Sequence, residues 1–503
     1  MKAPTAGVGI TYFFELEPLL SPALGLVDVL EIEPQVFWKH TQSNPDIYQV
    51  DEDALAKIET YSQPKLMHSV GSLGGSCSPD LAQMPALLRM KNELHPLWVS
   101  DHLSFNAACG PDGPFKTGFL LPLCQNSEGV KTAAKAIKLM KNHLRIDLAV
   151  ETGVSYLKQR HDEMTDGEFV GAVSSAADCG LLLDMHNVWT NQNNGRQSVS
   201  DYLDQIPLGR VWELHMAGGY EEDGYWLDAH SGEMQDEMLR IAKNIIPRLP
   251  NLKAIIFEIY PSFLPEVGLE VVRKQLKTIH RLWKMRGNGH STARAQMLRK
   301  RIRKAPMTTP DPISPQKWEN ILGALVVGRI PRGELAKELA TDPGISLYRK
   351  LIASFRASMV VGTLILTSRL LLLTLGKKSF LALLEEYWKD QTPMLFASDE
   401  AEGFSKYLRL LRLDLPYLEE VLEFEMAARN ANLRGEEQIV RFPYEPFPLL
   451  RALGSRKLPS PPPRRGHYEI VITPDTANVS RGRTEGKPPL SRLDGSRQLV
   501  WHH

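Results

Sequence analysis

Short apolar runs recur at regular intervals through the first half of the chain, and most of them end at a polar residue. A run rich in Val, Ile and Leu without polar alternation predicts a strand that is buried on both faces. Eight such runs lie within residues 7–259, starting with GVGIT at 7–11 and VLEI at 29–32. The later six end at His68, His102, Glu151, Asp184, His215 and Glu258. The pattern predicts strands that each deliver one polar group at the strand exit.

The segments between these runs carry helical periodicity. The polar strand ends are about 30 to 50 residues apart, which leaves room for a helix and two loops in each interval. Helices are predicted at 51–61, 79–94, 127–142, 166–178, 200–205, 232–249 and 269–286. Eight strands alternating with helices predict an α/β fold, the (β/α)8 TIM barrel. Functional groups of that fold collect at the C-terminal ends of the strands.

The second half of the chain has a different pattern and predicts a second, mainly α-helical domain with a small C-terminal β element. We predict a barrel domain at 1–286, a basic and Pro-rich linker at 287–314, a helical domain at 315–475 and a tail at 476–503. Helices of the second domain are predicted at 316–325, 332–339, 347–375, 378–390, 401–410 and 417–431.

Two segments of this half invite particular interpretations. The apolar run 359–375 is interrupted by Arg369 and flanked by further basic residues, which favours buried helices over a membrane span. HYEIVI at 467–472 alternates in the manner of a strand and follows a Pro-rich approach. It could present an open sheet edge to an extended peptide, or it could pair only within its own domain.

Composition narrows the cellular context but not the partner. Lys plus Arg and Asp plus Glu number 59 each, so the net charge indicates neither nucleic acid nor a membrane as a partner. The four cysteines lack any C-x-x-C spacing, and no secretory signal is evident at the N-terminus. We therefore expect a cytoplasmic protein with free thiols. Cys77, Cys109 and Cys124 are predicted to be inert.

The strand-end residues form a set of nitrogen and oxygen ligands, which suits iron, manganese or zinc. Asp184, His186 and Asn187 leave one strand end together, and Asp228 and His230 follow the strand that ends at His215. This total exceeds the roughly three to six protein ligands of a mononuclear site, so two or three metals are predicted. Taken singly, a buried histidine could be a hydrogen-bonded core residue, and a strand-end acid could cap the next helix. The remaining histidines are predicted to lie on the surface: His40, His95, His143, His161, His280 and His290.

The ordered motifs of residues 5–285 resemble the multinuclear non-haem iron oxygenases, the methanobactin-type enzymes that modify ribosomally made peptides. The motifs are GVG, MHSV, VSDHL, VET, LLLDMHNV, ELHMAG, LDAH and FEI. The resemblance implies metal ligands at His68, His102, Glu151, Asp184, His215, Asp228, His230 and Glu258. It also places Asn187 at a ligand position of the family, with His186 as a variant ligand, and leaves the choice between them open.

Residues 315–435 resemble the helical partner protein that such oxygenases usually bind as a separate chain. The resemblance rests on YRKLIASFRASMVVG, a GKKSF turn, LEEYW and LPYLEEVLEFEMAARNA. It implies a natural fusion in which the C-terminal domain recruits the leader of a precursor peptide, with 467–472 as a candidate docking strand.

The resemblance to the oxygenases implies two or three iron ions and O2, used to oxidise a peptide residue such as cysteine. Candidate proton acceptors are Asp228 and Asp101. Other functions remain open on the residues alone: a divalent-metal TIM-barrel isomerase, a phosphodiesterase, or a peptide-binding scaffold without catalysis.

Overall fold

The structure is a computed structural model that describes residues 4–40, 48–71, 73–287, 313–474 and 479–481. The described chain forms two compact units, which divide between Lys350 and Leu351. The first unit extends beyond residue 286, where the sequence places the end of the barrel domain. Most of the predicted linker and tail lies outside the described residues, and so does His290.

The first unit is built around a closed barrel of eight parallel strands, which confirms the predicted fold class. Each strand pairs with its neighbours in the chain, and the last strand closes the barrel by pairing with the first. The strands are β1 (Gly7–Thr11), β2 (Val29–Ile32), β3 (Lys65–Ser69), β4 (Val99–His102), β5 (Leu148–Glu151), β6 (Gly180–Asp184), β7 (Val211–Ala217) and β8 (Ala254–Glu258).

The barrel core changes from apolar to polar towards the C-terminal ends of the strands. One buried apolar cluster contains Val29, Leu66, Trp98, Ala149, Leu182, Ala254 and Ile256. Side chains on one face of a strand recur every second residue. Five of these apolar residues are followed, two positions later, by a polar residue on the same face of the strand. The pairs are Val29 and Glu31, Leu66 and His68, Ala149 and Glu151, Leu182 and Asp184, and Ile256 and Glu258. The polar layer therefore lies on top of a closed apolar core.

Helices separate the barrel strands, close to the predicted segments. They are α1 (Glu52–Glu59), α2 (Met84–Leu94), α3 (Ser127–Leu144), α4 (Asp166–Ala177), α5 (Met185–Asn193), α6 (Val199–Gln205), α7 (Asp236–Ile245), α8 (Leu264–Val267) and α9 (Leu269–Trp283). Helix α5, which the periodicity did not predict, begins immediately after β6. The Asp184 side chain caps it by accepting a hydrogen bond from the backbone N–H of Asn187 at 2.8 Å.

The first unit also contains elements that the sequence analysis did not assign to the barrel. A hairpin of Ser104–Gly110 and Gly113–Pro122 follows β4, and a short hairpin of Tyr220–Glu222 and Tyr225–Leu227 follows β7. Two helices of the second half also belong to this unit, α10 (Pro315–Val326) and α11 (Glu334–Ala340), together with the start of α12 (Pro343–Thr363).

The second unit is mainly helical, as predicted. Its further helices are α13 (Ile365–Asp390), α14 (Ala397–Leu411), α15 (Leu418–Arg434) and α16 (Pro446–Gly454). The helical segment predicted at 347–375 forms parts of two helices, because α12 and α13 meet at a bend of 108° around Leu364. Glu425 of α15 accepts hydrogen bonds from the backbone N–H groups of Leu366 and Thr367, which fixes the new helix start.

The apolar segment 359–375 supplies residues to the core of the second unit, including the fully buried Leu370 and Leu371. Within the described residues, no individual helix has the length and hydropathy needed to cross a membrane. The bent pair of α12 and α13 meets those two requirements only when its helices are taken together.

The second unit carries a small antiparallel sheet of β9 (Gln438–Tyr444), β10 (Arg465–Ile472) and β11 (Val479–Arg481). The HYEIVI segment lies in β10, the middle strand of the sheet, and its last three residues pair within the domain, which is the second of the two alternatives that the sequence left open. Ile470, Val471 and Ile472 pair with β9 on one side and with β11 on the other. An added peptide strand cannot pair at these residues, because both edges of the strand are occupied.

Candidate metal centre

The first group of predicted ligands joins three neighbouring barrel strands. His68 ends up beside Glu151, with 3.1 Å between His68 Nε2 and Glu151 Oε2, and His102 Nε2 lies 3.2 Å from the same oxygen. His68 and Glu151 are almost completely buried, whereas 13% of the His102 side chain is exposed. Ligand atoms that each lie about 2.1 Å from one metal ion are about 3.0 to 3.4 Å from one another. The spacing of this group fits one metal ion.

The outer contacts of these histidines favour the tautomer that carries its proton on Nδ1. The Ser100 hydroxyl donates to the carbonyl of Met67, so it accepts from His68 Nδ1 at 2.8 Å. His102 Nδ1 faces the Ser69 carbonyl at 3.4 Å, which can only accept. Both Nε2 atoms therefore present lone pairs to a carboxylate oxygen. Three acceptors that face one another are relieved either by a proton on Glu151 or by a metal ion between them.

A second group surrounds His215, whose two ring nitrogens face carboxylates on opposite sides. His215 Nδ1 lies 3.0 Å from Glu258 Oε2, and Nε2 lies 3.1 Å from Glu31 Oε2. Thr11 donates to Glu31 and also lies within hydrogen-bond distance of Glu258. All of these groups are buried. Glu31 was not predicted as a site residue, although it follows the core residue Val29 by two positions, as His68 follows Leu66.

A third group shares the Glu258 oxygen that faces His215. His230 Nε2 lies 3.4 Å from Glu258 Oε2 and 3.0 Å from Asp228 Oδ1. One oxygen of Asp184 caps α5, whereas the other has no hydrogen-bond partner and belongs to this group. Asp184 can therefore cap helix α5 through one oxygen and bind a metal ion through the other, so both roles that the sequence left open are compatible.

Four triads of potential ligand atoms overlap in this cluster, and within each triad the atoms lie within 4.8 Å of one another. The triads are His68 with His102 and Glu151; Glu151 with Asp184 and His215; Glu31 with His215 and Glu258; and Asp184 with His230 and Glu258. Four residues belong to two triads each: Glu151, Asp184, His215 and Glu258. Shared carboxylates are suited to bridging neighbouring ions, so the donor set fits more than one metal.

Electrostatics also favour bound cations. Burial raises the pKa of Glu151 well above its ordinary value, that of Asp184 to about 7 and that of Glu31 to about 8. Burial opposes the protonation of His215 and His230. The charge of Glu258 nevertheless raises the pKa of His215 well above its ordinary value and that of His230 to about 10. Buried acids that favour a proton favour a metal ion for the same reason.

His186 and Asn187, the two alternative ligands, both lie at the cluster but play different roles. The Asn187 amide donates to Glu151 Oε1 at 3.1 Å, and its buried oxygen has no hydrogen-bond partner. His186 Nε2 faces the Leu227 carbonyl at 3.3 Å, and its buried Nδ1 has no hydrogen-bond partner. His186 lies 3.9 Å from Asp228. Asn187 therefore orients a predicted ligand directly.

The two candidate proton acceptors are placed differently. Asp228 lies in the cluster beside His230, and its Oδ1 has no hydrogen-bond partner. Asp101 is buried on the other face of β4, where it accepts a hydrogen bond from the backbone N–H of Leu73. The structure does not bring Asp101 into the cluster, because successive residues of a strand point to opposite faces.

The other predicted surface histidines and the cysteines lie away from the cluster. His95, His143 and His161 are exposed, whereas His280 is partly buried and contacts the Leu26 carbonyl. All four cysteines are free thiols. Burial raises the pKa of Cys77, Cys124 and Cys179 to about 12, so these thiols have little thiolate character.

A cavity opens beside the cluster at His102 and Asp228. Its walls come mainly from the Ser104–Pro122 hairpin, the loop after β5 and helix α4. They are mostly apolar and include Leu103, Phe119, Leu121, Val154 and Phe169. The cavity gives a side chain of a bound molecule access to the polar layer.

A family model described as "RiPP precursor modification enzyme MbnB/TglH/ChrH" matches residues 8–281, which is more than half of the chain. A UPF0276 protein of Chromobacterium violaceum is 28% identical over 224 residues, covering 44% of this chain and 79% of the relative. A UPF0276 protein of Anaeromyxobacter sp. is 29% identical over 230 residues, covering 45% of this chain and 80% of the relative.

Two solved structures align with the barrel region. The zinc-bound IOLI protein covers 56% of this chain and 98% of its own, with 12% identity and a TM-score of 0.36. The alignment with the D-psicose 3-epimerase of Clostridium cellulolyticum covers 56% of this chain and 99% of the epimerase, with 10% identity and a TM-score of 0.38. Neither similarity bears on the chemistry of this chain.

Proposed function

Because the chain belongs to the MbnB/TglH/ChrH family of RiPP precursor modification enzymes, we propose that it oxidises a residue of a ribosomally made precursor peptide. We propose two or three iron ions as the metals, O2 as the oxidant and cysteine as the modified residue. The first half of the chain would carry the chemistry, and the second unit would recruit the peptide.

The observation that carries this proposal is the set of overlapping triads that share Glu151 and Glu258. A mononuclear hydrolase or isomerase needs about three or four protein donors. Here the possible ligand atoms continue from His102 to His230, and the ion pairs among them in the described residues involve no Lys or Arg side chain. A cluster of this extent supports a multinuclear centre.

Each residue of the cluster has a role that follows from its contacts. His68, His102 and Glu151 would hold one ion, and Asp184, His230 and Glu258 would hold another, with His215 between them. Glu31 holds His215 in place, while Ser100 and Asn187 orient His68 and Glu151. When bound, iron supplies the electrons and the coordination positions that O2 chemistry requires.

The chain itself would position the peptide and handle protons. The apolar walls of the cavity exclude water from the side chain that enters, and His102 and Asp228 border its inner end. Asp228 is our proposed proton acceptor, because it borders the cavity and lies beside His230 in the cluster. Asp101 is a weaker candidate, since its contacts lie on the outer face of β4.

The second unit would bind the leader of the precursor. One strand edge that could accept an extended peptide is the outer edge of β9, the first strand of the sheet. Among the described residues, no strand pairs with that edge. Ile439 on β9 is exposed, which offers an apolar contact for an added strand.

The test is co-expression of the full chain with the small peptide encoded beside its gene, followed by mass spectrometry of the peptide. The chain should be purified without oxygen and its metals counted. We expect two or three irons per chain and a peptide whose mass changes only when oxygen is admitted. An unchanged peptide in the presence of iron-loaded protein and oxygen would refute the proposal, as would stoichiometric zinc in place of iron.

A further inference from the structure

The start of helix α12 packs directly on the loop that follows β5, and both belong to the first unit. Asp342 accepts a hydrogen bond from the backbone N–H of Lys158 at 2.9 Å. A Cβ atom on Gly344 would come within 2.3 Å of the Tyr156 carbonyl oxygen, so only glycine allows this approach. The loop begins one residue after Glu151, one of the proposed metal ligands.

Tyr348 is the central contact of this interface and is fully buried. Its hydroxyl accepts a hydrogen bond from the backbone N–H of Tyr156 at 3.2 Å. Its ring meets the rings of Tyr156 and Phe119 edge to face, with centroids 5.3 and 5.7 Å apart. Tyr156 and Phe119 both line the cavity beside the cluster. Tyr348 therefore supports two walls of the cavity from behind.

Tyr156 connects this support to the metal cluster. The Tyr156 hydroxyl accepts a hydrogen bond from the backbone N–H of Asp228 at 3.2 Å. Asp228 in turn lies 3.0 Å from His230. Tyr156 thus holds the loop that carries two proposed ligands, and Tyr348 holds Tyr156.

Helix α10 anchors the same segment on the hairpin side of the cavity. Trp318 Nε1 donates to the carbonyl of Pro122, a cavity residue, at 2.8 Å. The buried Glu319 accepts hydrogen bonds from Ser76 and from the backbone N–H of Cys77. Residues 313–350 are therefore joined to the barrel by directional contacts at two places.

We infer that Tyr348 is a positioning residue of the metal centre, acting through Tyr156 on Asp228 and His230. Residues 313–350 lie beyond the part of the chain that the family model matches, 8–281. This segment therefore supports the cavity wall of the barrel from behind instead of serving only as a tether for the second unit. The inference rests on the proposed function to the extent that Asp228 and His230 face a bound metal.

The test uses the full chain with Co2+ as a spectroscopic probe, alongside iron-dependent turnover. Tyr348→Phe removes the acceptor for the Tyr156 N–H, and Tyr156→Phe removes the acceptor for the Asp228 N–H. We expect each to shift the visible Co2+ bands and to lower metal affinity or turnover roughly tenfold, as is usual for groups that orient ligands. The double variant should lose less than the product of the two single losses, because both act along one path.

Lys350→Met is the matched control, since Lys350 lies in the same helix and contacts Glu222 and Asp223 at the surface. It should keep the wild-type spectrum and turnover. Wild-type behaviour of Tyr348→Phe, or multiplicative losses in the double variant, would overturn the inference. If wild type changes no peptide while Tyr348→Phe still shifts the Co2+ bands, the inference stands and the proposed function falls. A wild-type chain that binds neither Co2+ nor iron overturns both.

Discussion

Replacing Glu151 by Gln tests the metal centre at a residue shared by two triads. The carboxylate accepts from Asn187 through Oε1 and faces the lone pairs of His68 and His102 through Oε2. A Gln side chain of the same shape can turn its NH2 group towards the two histidines and its carbonyl towards Asn187. The metal-binding oxygen would then be replaced by a hydrogen-bond donor.

The variant should therefore separate stability from metal binding. In the metal-free chain, burial raises the pKa of Glu151 well above its ordinary value and favours the neutral acid, so a neutral amide of the same shape that donates to the histidines should cost little stability. We expect the melting temperature of the chelated variant to match or exceed that of chelated wild type by a few degrees. Iron content should fall by about one ion per chain, because three donors are the fewest that hold an ion at a protein site.

The assay is elemental analysis after anaerobic purification, together with thermal unfolding with and without a chelator. Chelation should lower the melting temperature of wild type more than that of the variant. Glu163→Gln is the control, because Glu163 lies near Arg196 outside the cluster and burial raises its pKa to about 7. A Glu151→Gln chain with the full iron content of wild type would refute the assignment of Glu151 as a ligand.

Three further substitutions examine the supporting structure. Gly219→Ala should displace His186, because a Cβ atom there would come within 2.5 Å of the His186 ring and of the Leu227 carbonyl. If His186 is a ligand, iron content should fall relative to the control Gly209→Ala, whose Cβ would meet nothing within 4 Å; equal content would favour Asn187. Ser100→Ala should weaken metal binding about 10- to 100-fold in a metal titration by releasing His68 Nδ1, and unchanged affinity would contradict the orienting role. Glu425→Ala should destabilise the second unit by about 2–4 kcal/mol in denaturant unfolding, since two buried N–H groups at the start of α13 lose their acceptor, while iron content stays constant.

The candidate site was predictable where the residue type and the strand end coincide. His68, Glu151 and Glu258 each close an apolar run, and the structure brings all three into the cluster. Glu31 was missed because it stands inside a run instead of at its end, although the spacing from Val29 repeats that from Leu66 to His68. Asp101 was chosen because it lies beside His102, but neighbouring residues of a strand face opposite sides.

The sequence by itself determined the barrel, because eight buried strands separated by helices have one closed arrangement that hides both faces of every strand. It also determined the ligand types, since each strand exit is a local feature of the chain. Only the tertiary structure decided which ligand residues belong to two triads, where the chain bends between α12 and α13, and which strand of the small sheet is central. Those features depend on contacts between residues distant in the chain: Glu425 with the start of α13, β9 with β10, and Tyr348 with Tyr156. No periodicity within a segment records such contacts, because the partner that creates them lies elsewhere in the sequence.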